Sequence, residues 1–555
     1  MAAIVYLRAV IALLVLLIGP VNCADNKPEL PSLLDATLDQ LRYGLDSGRF
    51  TSVDLTRAYL ARIKEVSDDL RPVIEINPDA LTIAARMDSE RKQNRTTPGP
   101  LHGVPVLIKD NIATRDNMNT TAGSYALAGA VPKEESTMAR KLREAGALLL
   151  GKTNLSQWSM FRSYNTSSGW TSIGGQTKGA YFADHDPSGS SSGSGVATSL
   201  GLAWATLGTE TAGSLISPGN VNNVVAVKPS VGLTSRYMVV PISEHQDTVG
   251  PMARTVKDAA YLLEAIAGPD SKDKYTSASP FKSGKTPKYV AACREDGLRG
   301  KRIGIPRHLK DIPPEFLAPQ VMSVFRSALQ TLRDAGAVLV EDVEMPGEAN
   351  LLDAPTEVIM EGDFVVNLRQ YLSNLEKNPN GITNLQQLKD FTEKHPKEGF
   401  PSRDTQVWQG SLDLGFDNTS PEFRDLHGQL TYDSGPLGVL GALKNHSLDA
   451  IVVPTDAMLG SPAVAGSPVI TVPMGKRSND TAIERNPSFG LTSTAPNLPF
   501  GISFAGKMFG EETLIEIAYA FEQKTKARQT VQPYIKPRTE LIDIIRSRCR
   551  RVVKF

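Results

Sequence analysis

Apolar residues along this chain keep two rhythms that alternate. Leu34, Leu38, Leu41 and Leu45 recur at helical spacing and stop before Gly48, and a second helix capped by Ser52 follows, with Leu55, Tyr59, Ile63 and Val66 on one face. Val104 to Ile108 is an unbroken apolar run, then come a helix around Met138 to Ala145 and a second run, Ala147 to Leu150. The pattern returns with a strand at Lys301–Pro306, a helix over Val321–Ala335 and a strand at Ala337–Val340. It closes with strands at 449–454, 468–473 and 500–504 and an amphipathic helix over Glu511–Thr525. Unbroken apolar strands suit a sheet covered on both faces, because an exposed face would demand alternation. The alternation of helix and strand therefore predicts an α/β fold: one domain over residues 28–535, a mixed central β-sheet with helices on both faces.

Three stretches break the rhythm. Residues 158–187 are rich in Ser, Gly, Thr, Asn and Tyr and read as a loop, with Trp170, Gln176 and Tyr181 as candidate lining residues. Residues 268–288 are polar and Pro/Ser/Lys-rich and read as a surface connection. Residues 352–430 are the least regular part, although Glu357, Met360, Phe364, Leu368 and Leu372 share one helical face.

The ends differ in kind from the middle. Residues 1–23 hold a basic residue, a short apolar core and small residues around Cys23 and Ala24, the pattern of a secretory signal peptide; the competing reading is an uncleaved anchor. Asn94, Asn119, Asn154, Asn165, Asn418, Asn445 and Asn479 each sit in Asn-x-Ser/Thr, which agrees with a secreted, extracellular glycoprotein; Asn154 is the doubtful acceptor because it lies in a motif near the site. Cleavage would leave Cys293 and Cys549, too few for a disulfide-held scaffold. Residues 536–555 form a basic tail that reads as a solvated end. With 60 basic against 60 acidic residues, nothing electrostatic argues for nucleic acid or a stable membrane association. The oligomeric expectation is a monomer or homodimer.

The candidate chemistry lies in residues 188–228. A Gly/Ser run by itself reads as a linker, but Ser188–Gly195 leads directly into the apolar run 196–207, a close-packed helix and a buried strand, and then into Thr211-Ala212-Gly213-Ser214. Two turns thus deliver serine hydroxyls and free backbone N–H groups beside a buried element, as acyl transfer requires. No histidine lies between Ser188 and Ser214, so the base must come from elsewhere. A lysine serves if burial keeps it neutral, and Lys109 ends the run Val104–Ile108.

These residues resemble the amidase signature family. The resemblance rests on Gly103-Val104-Pro105-Val106-Leu107-Ile108-Lys109-Asp110-Asn111, on the Gly/Ser stretch, and on Ser214 standing twenty-four positions after Ser190. It extends from about Leu34 to Arg528 through further motifs at 151–156, 227–233, 246–256 and 448–455. It implies Ser214 as nucleophile, Ser190 as a bridging serine behind a cis peptide bond and Lys109 as general base. It also implies an oxyanion hole formed by the backbone of Thr211, Ala212, Gly213 and Ser214. The implied activity is hydrolysis of the carboxamide of a small or medium organic molecule, with no cofactor and no metal; no zinc-type Cys/His spacing is present. Ala212 departs from the glycine or aspartate of many members, which motivates an alternative, an inactive amide- or ester-binding protein on the same scaffold. Gly189–Gly193 also fits Gly-x-Ser-x-Gly, which would make Ser191 the nucleophile of an α/β-hydrolase with His427 or His446. A tRNA-dependent amidotransferase subunit conflicts with the signal segment and the neutral charge.

Overall fold

The computed structural model describes residues 30–93, 99–281, 285–314, 317–457 and 459–552. The signal segment and Asn94 lie outside them, as do the tail's last three residues; the side chain of Cys549, and so its pairing with Cys293, is also undescribed.

Eleven strands make one sheet: β1 (Val73–Ile76), β2 (Pro105–Lys109), β3 (Leu148–Thr153), β4 (Ala205–Glu210), β5 (Val225–Lys228), β6 (Thr248–Ala253), β7 (Arg302–Pro306), β8 (Val338–Val343), β9 (Ala450–Pro454), β10 (Val469–Lys476) and β11 (Pro499–Ala505). Their order is β1-β3-β2-β4-β6-β5-β10-β11-β9-β7-β8. The parallel pairs β3–β2, β2–β4, β9–β7 and β7–β8 flank an antiparallel centre, so the sheet is mixed, as expected. Every residue of β2, β4, β5, β6, β9 and β11 is buried, which explains their unbroken apolar runs. Helices flank the sheet, among them Leu38–Asp46, Ser52–Leu70, Val256–Ile266, Pro319–Asp334 and Glu511–Thr525.

The Gly/Ser stretch is a packing device. Helix Ser192–Ser199 is buried along its whole length. Its hydroxyls bond sideways into the sheet: Ser194 Oγ lies 2.7 Å from Thr153 Oγ1 and donates to the Leu207 carbonyl at 3.1 Å. Thr198 Oγ1 lies 2.9 Å from Thr206 Oγ1. A Cβ on Gly193 would stand 2.3 Å from the Pro72 carbonyl oxygen and 2.5 Å from that of Asn154, so only glycine admits this approach.

Several elements depart from the sequence pattern. The cap of helix Ser52–Leu70 is Thr51, whose hydroxyl accepts from the Asp54 N–H at 3.0 Å in a full capping box; Ser52 is the first helical residue. Residues 352–430 are mostly helical, with Glu357–Ser373, Leu385–Lys394, Gln406–Asp413 and Pro421–Ser434. Short helices separated by stretches such as Asn378-Pro379-Asn380-Gly381 give too few turns for a clear period. Phe364, Leu368 and Trp408 there form a second apolar cluster with Trp158 and Phe161, and Glu357 is exposed. The basic tail is no free end: helix Leu541–Val552 begins with buried Leu541, and Arg548 pairs with Asp54 at 2.6 Å. Arg62, itself buried, donates to the Thr539 carbonyl at 2.7 Å, so residue 535 marks no structural boundary. Among the described residues no helix is long and apolar enough to cross a membrane.

The sheet contact of helix Ser192–Ser199 predicts opposite outcomes for two glycines. Gly193→Ala should prevent recovery of folded protein or lower the thermal midpoint sharply. Gly428→Ala, on a helix with nothing within 4 Å of the new Cβ, should leave the midpoint unchanged or raise it, by about 1 kcal/mol at most. Thermal melts of both variants check this.

Candidate active site

Strand β2 ends at Lys109, whose side chain is completely buried. Its Nζ lies 2.7 Å from Ser190 Oγ, 2.8 Å from Thr209 Oγ1 and 3.3 Å from the Thr209 carbonyl oxygen. Burial pushes the amine down to about 7, against the opposing pull of the Asp247 and Glu210 carboxylates. Asn111 Nδ2 donates to the same Thr209 hydroxyl at 3.0 Å, tying the residues after β2 to the neighbouring β4. A lysine close to half-neutral at pH 7, with a serine hydroxyl in hydrogen-bond contact, is a ready proton acceptor.

Ser190 follows a cis peptide bond from Gly189 and is fully buried; its carbonyl accepts from the Ser156 N–H at 3.0 Å. Ser191 is also buried, and its hydroxyl is used twice, donating to the Thr209 carbonyl at 2.9 Å and accepting from the Thr209 N–H at 3.2 Å. No strand precedes it: in residues 184–191 the one β feature is an isolated bridge at His185, and the rest is turn, bend or irregular. His427 packs on His245 and Phe423, and His446 ends helix Val439–Asn445. The elbow geometry that would make Ser191 a nucleophile is therefore not built.

Strand β4 leads directly into the turn that carries Thr211, Ala212, Gly213 and Ser214. Gly213 takes a φ of +79°, which its lack of a side chain permits, and the short helix Ile216–Val221 begins just beyond. Glu210 holds the turn closed, its Oε2 accepting the N–H groups of Leu215 at 2.7 Å and Ile216 at 3.0 Å. Thr211 Oγ1 donates to Asp247 Oδ1 at 2.5 Å, and the other Asp247 oxygen accepts the Ile242 N–H at 2.8 Å. Burial raises Asp247 to about 6. The Ser191 N–H donates to the Ser214 carbonyl at 3.1 Å, which joins the two serine turns. Ser214 is 9% exposed, the most open of these serines. Among the described residues, no acceptor is bonded to the N–H groups of Ala212, Gly213 and Ser214.

Of this turn, Ala212 and Gly213 border a cavity of about 620 Å³, and Ser214 lies next to them in the chain. Ala212 and Gly213 form one wall; Ile216, Met345, Leu351, Met360 and Leu459 supply apolar surface, with Lys228, Gln246 and Asp456 as polar points. Ala212 is exposed, so its methyl faces open space and leaves the turn's conformation undisturbed. The loop candidates Trp170, Gln176 and Tyr181 do not line this cavity. Tyr181 Oη lies 2.8 Å from Ser199 Oγ, Gln176 bonds back to Ser168, and Trp170 lies under the Arg403 guanidinium. Thr209, Asn111, Glu210 and Asp247 had no assigned role in the sequence reading. Asn111, Thr209 and Glu210 lie in the motifs that carry the expected lysine and Ser214, so position beside those residues was the available signal; Asp247 lies in the separate motif at 246–256.

The protein-family model Amidase matches residues 54–460. The chain is 48% identical over 552 residues to a protein of Arthroderma benhamiae described as an amidase, spanning 95% of this chain and 91% of that one. It is 38% identical to the Arabidopsis thaliana amidase At4g34880, over 90% of this chain and 91% of that one. The crystal structure of native peptide amidase from Stenotrophomonas maltophilia superposes with a TM-score of 0.79 at 38% identity, covering 91% of this chain and 98% of that one. A chain matched along its length by amidases, in sequence and in fold, belongs to the amidase family.

Proposed function

We propose that this protein is a serine amidohydrolase that cleaves a carboxamide through an acyl-enzyme on Ser214, with Ser190 and Lys109 moving the proton. The observation that carries the reading is the 2.7 Å contact between fully buried Lys109 and Ser190. Neutral Lys109 accepts the Ser190 hydroxyl proton, Ser190 takes the proton of Ser214, and Ser214 Oγ adds to the substrate carbonyl. Charge developing on that oxygen meets the N–H groups of the Thr211–Ser214 turn, each worth about 3 kcal/mol when preorganised in a water-poor site. The proton returns through Ser190 to the nitrogen, the C–N bond breaks, and the free amine or ammonia leaves. Water then adds to the ester, giving its proton back along the same path, and the carboxylic acid is released with Ser214 restored.

The neutral lysine sets the pH dependence. Protonation removes the base, so activity is present above about 7 and is lost as pH falls through that value. The Asp247 carboxylate favours the charged lysine, so neutralising it should move the limb to lower pH. Against the inactive binding-protein alternative stands the exposure of Ala212, which gives its methyl room at the cavity wall.

We further propose that the protein is exported: residues 1–23 carry the signal pattern, and sequon residues Asn165, Asn445 and Asn479 are exposed. Asn154 is unsuited to modification, being buried with its Nδ2 donating to the Gly169 and Gly175 carbonyls and to Thr177 Oγ1.

Labelling with a fluorophosphonate serine probe tests the chemistry. The adduct should map to Ser214 and vanish in Ser214→Ala. Its rate should fall by about 10²–10⁴ in Lys109→Ala and Ser190→Ala, and Lys109→Arg should not restore it. The wild-type rate should climb through about pH 7 to a plateau, and Asp247→Asn should shift the climb downward. An adduct on Ser191, or a rate indifferent to Lys109, would refute the mechanism. Expression in a eukaryotic secreting host should yield medium-borne protein starting near Ala24, with glycans on exposed sequons and none on Asn154; retention in the cell with an intact N-terminus would refute export.

A further inference from the structure

Away from the serines, three segments of chain bring two imidazoles and two carboxylates together. Asp363, fully buried on helix Glu357–Ser373, faces the loop Ser243–Asp247. Its two oxygens lie 3.0 and 2.9 Å from His245 Nδ1. One ligand atom from each of Glu244, His245 and Asp363 lies within 4.8 Å of the others. Helix Pro421–Ser434 adds His427, whose ring centre is 4.2 Å from that of His245.

The groups that now hold the carboxylates are mostly neutral donors. Ser243 Oγ donates to Asp363 Oδ2 at 2.5 Å, and Asn418 Nδ2 reaches both carboxylates, Asp363 at 2.7 Å and Glu244 at 3.4 Å. Lys274 Nζ is 3.0 Å from Glu244 on a side chain that is 72% exposed, and the Arg236 guanidinium, which donates to the Glu244 backbone carbonyl, is itself paired with Asp273. Two carboxylates thus converge on one point with a loosely held lysine as their direct cationic partner. Ligands on a tetrahedral zinc ion, bound at about 2.0–2.2 Å, stand roughly 3.3 Å apart; His245 Nδ1 and the Asp363 oxygens are already near that spacing, and Glu244 and His427 would close in on the ion. Imidazole with carboxylate suits Zn²⁺ better than Mg²⁺ or Ca²⁺, which prefer all-oxygen sets.

We propose that Glu244, His245, Asp363 and His427 form a binding site for one divalent transition-metal ion of the zinc type, separate from the serine chemistry. The ion replaces the proton on His245 Nδ1 and displaces the Asn418 and Lys274 donors. Its place in the fold gives it a consequence. Gln246 lines the substrate cavity, Asp247 holds Thr211 in the nucleophile turn, and Met360 on the Asp363 helix lines the same cavity. A bound ion therefore clamps that cavity wall to the turn.

The test is titration of full-length, chelator-stripped protein with ZnCl₂, read by calorimetry and by the thermal midpoint. The site predicts one equivalent bound with a raised midpoint. Binding should weaken at least tenfold, and the midpoint gain disappear, in His245→Asn, in His427→Ala and in Glu244→Gln, whose partly exposed side chain keeps the test usable should a histidine variant not fold. Co²⁺ should give the strong visible d–d absorption of four-coordination in wild type and lose it in these variants. No stoichiometric zinc uptake by folded protein that labels at Ser214, or uptake undiminished in the variants, would overturn the proposal.

Discussion

The structure depends on keeping an amine dry. Lys109 sits where a solvated charge would ordinarily be excluded, and what makes that tolerable is an amine with three neutral polar contacts, one to Ser190 and two to Thr209. The cost of burial is also the source of its chemistry, since the same desolvation moves its proton affinity to about 7. That environment requires β2 and β4 to be interior strands of a wide sheet, covered completely, with the residue after each apolar run placed at the strand's end. It also requires the serine turn to approach closely, which the small residues of helix Ser192–Ser199 permit.

The turn that carries Ser214 is held on a different principle. The N–H groups of Ala212, Gly213 and Ser214 are unbonded among the described residues, so the turn is held through its carbonyls, Gly213 accepting from Ser217 and Ser214 from Ser191, and by the Glu210 and Asp247 carboxylates. Both carboxylates act on Lys109 as well, favouring its protonated form, so the scaffold of the turn and the strength of the base are adjusted by the same two side chains. The cavity beyond is walled largely by helices from residues 346–434 and by the segment after β9, of which Leu459 packs into the sheet's core.

Much of the sheet was legible because burial on both faces writes strands as unbroken apolar runs. Lys109 was legible because such a run ended in a charge, and Ser190 and Ser214 through their spacing within a family pattern. The roles of Thr209 and Asn111 were not, since a threonine hydroxyl shared between a lysine and an asparagine leaves no periodic trace. Residues 352–430 read as irregular because Leu385–Lys394 and Gln406–Asp413 offer only two or three turns each and stretches with Pro, Gly and Asn separate the helices. The cluster around His245 was invisible for a plainer reason: its members come from positions 244, 245, 363 and 427, and only packing brings them together. Residues 536–555 misled because their basic composition conceals an amphipathic helix whose Arg548 finds a buried partner in Asp54.

The most direct test of this account is the titration of Lys109 itself. Protein labelled with ¹⁵N at lysine Nζ, carrying Ser214→Ala to prevent turnover and assigned by comparison with Lys109→Arg, can be followed by NMR across pH. The account predicts one lysine resonance that titrates near 7 and is absent from the Lys109→Arg spectrum. A Lys109 resonance that stays protonated up to the ordinary lysine range, around 10.4, would contradict it, because no neutral base would then exist at the pH where the enzyme must work.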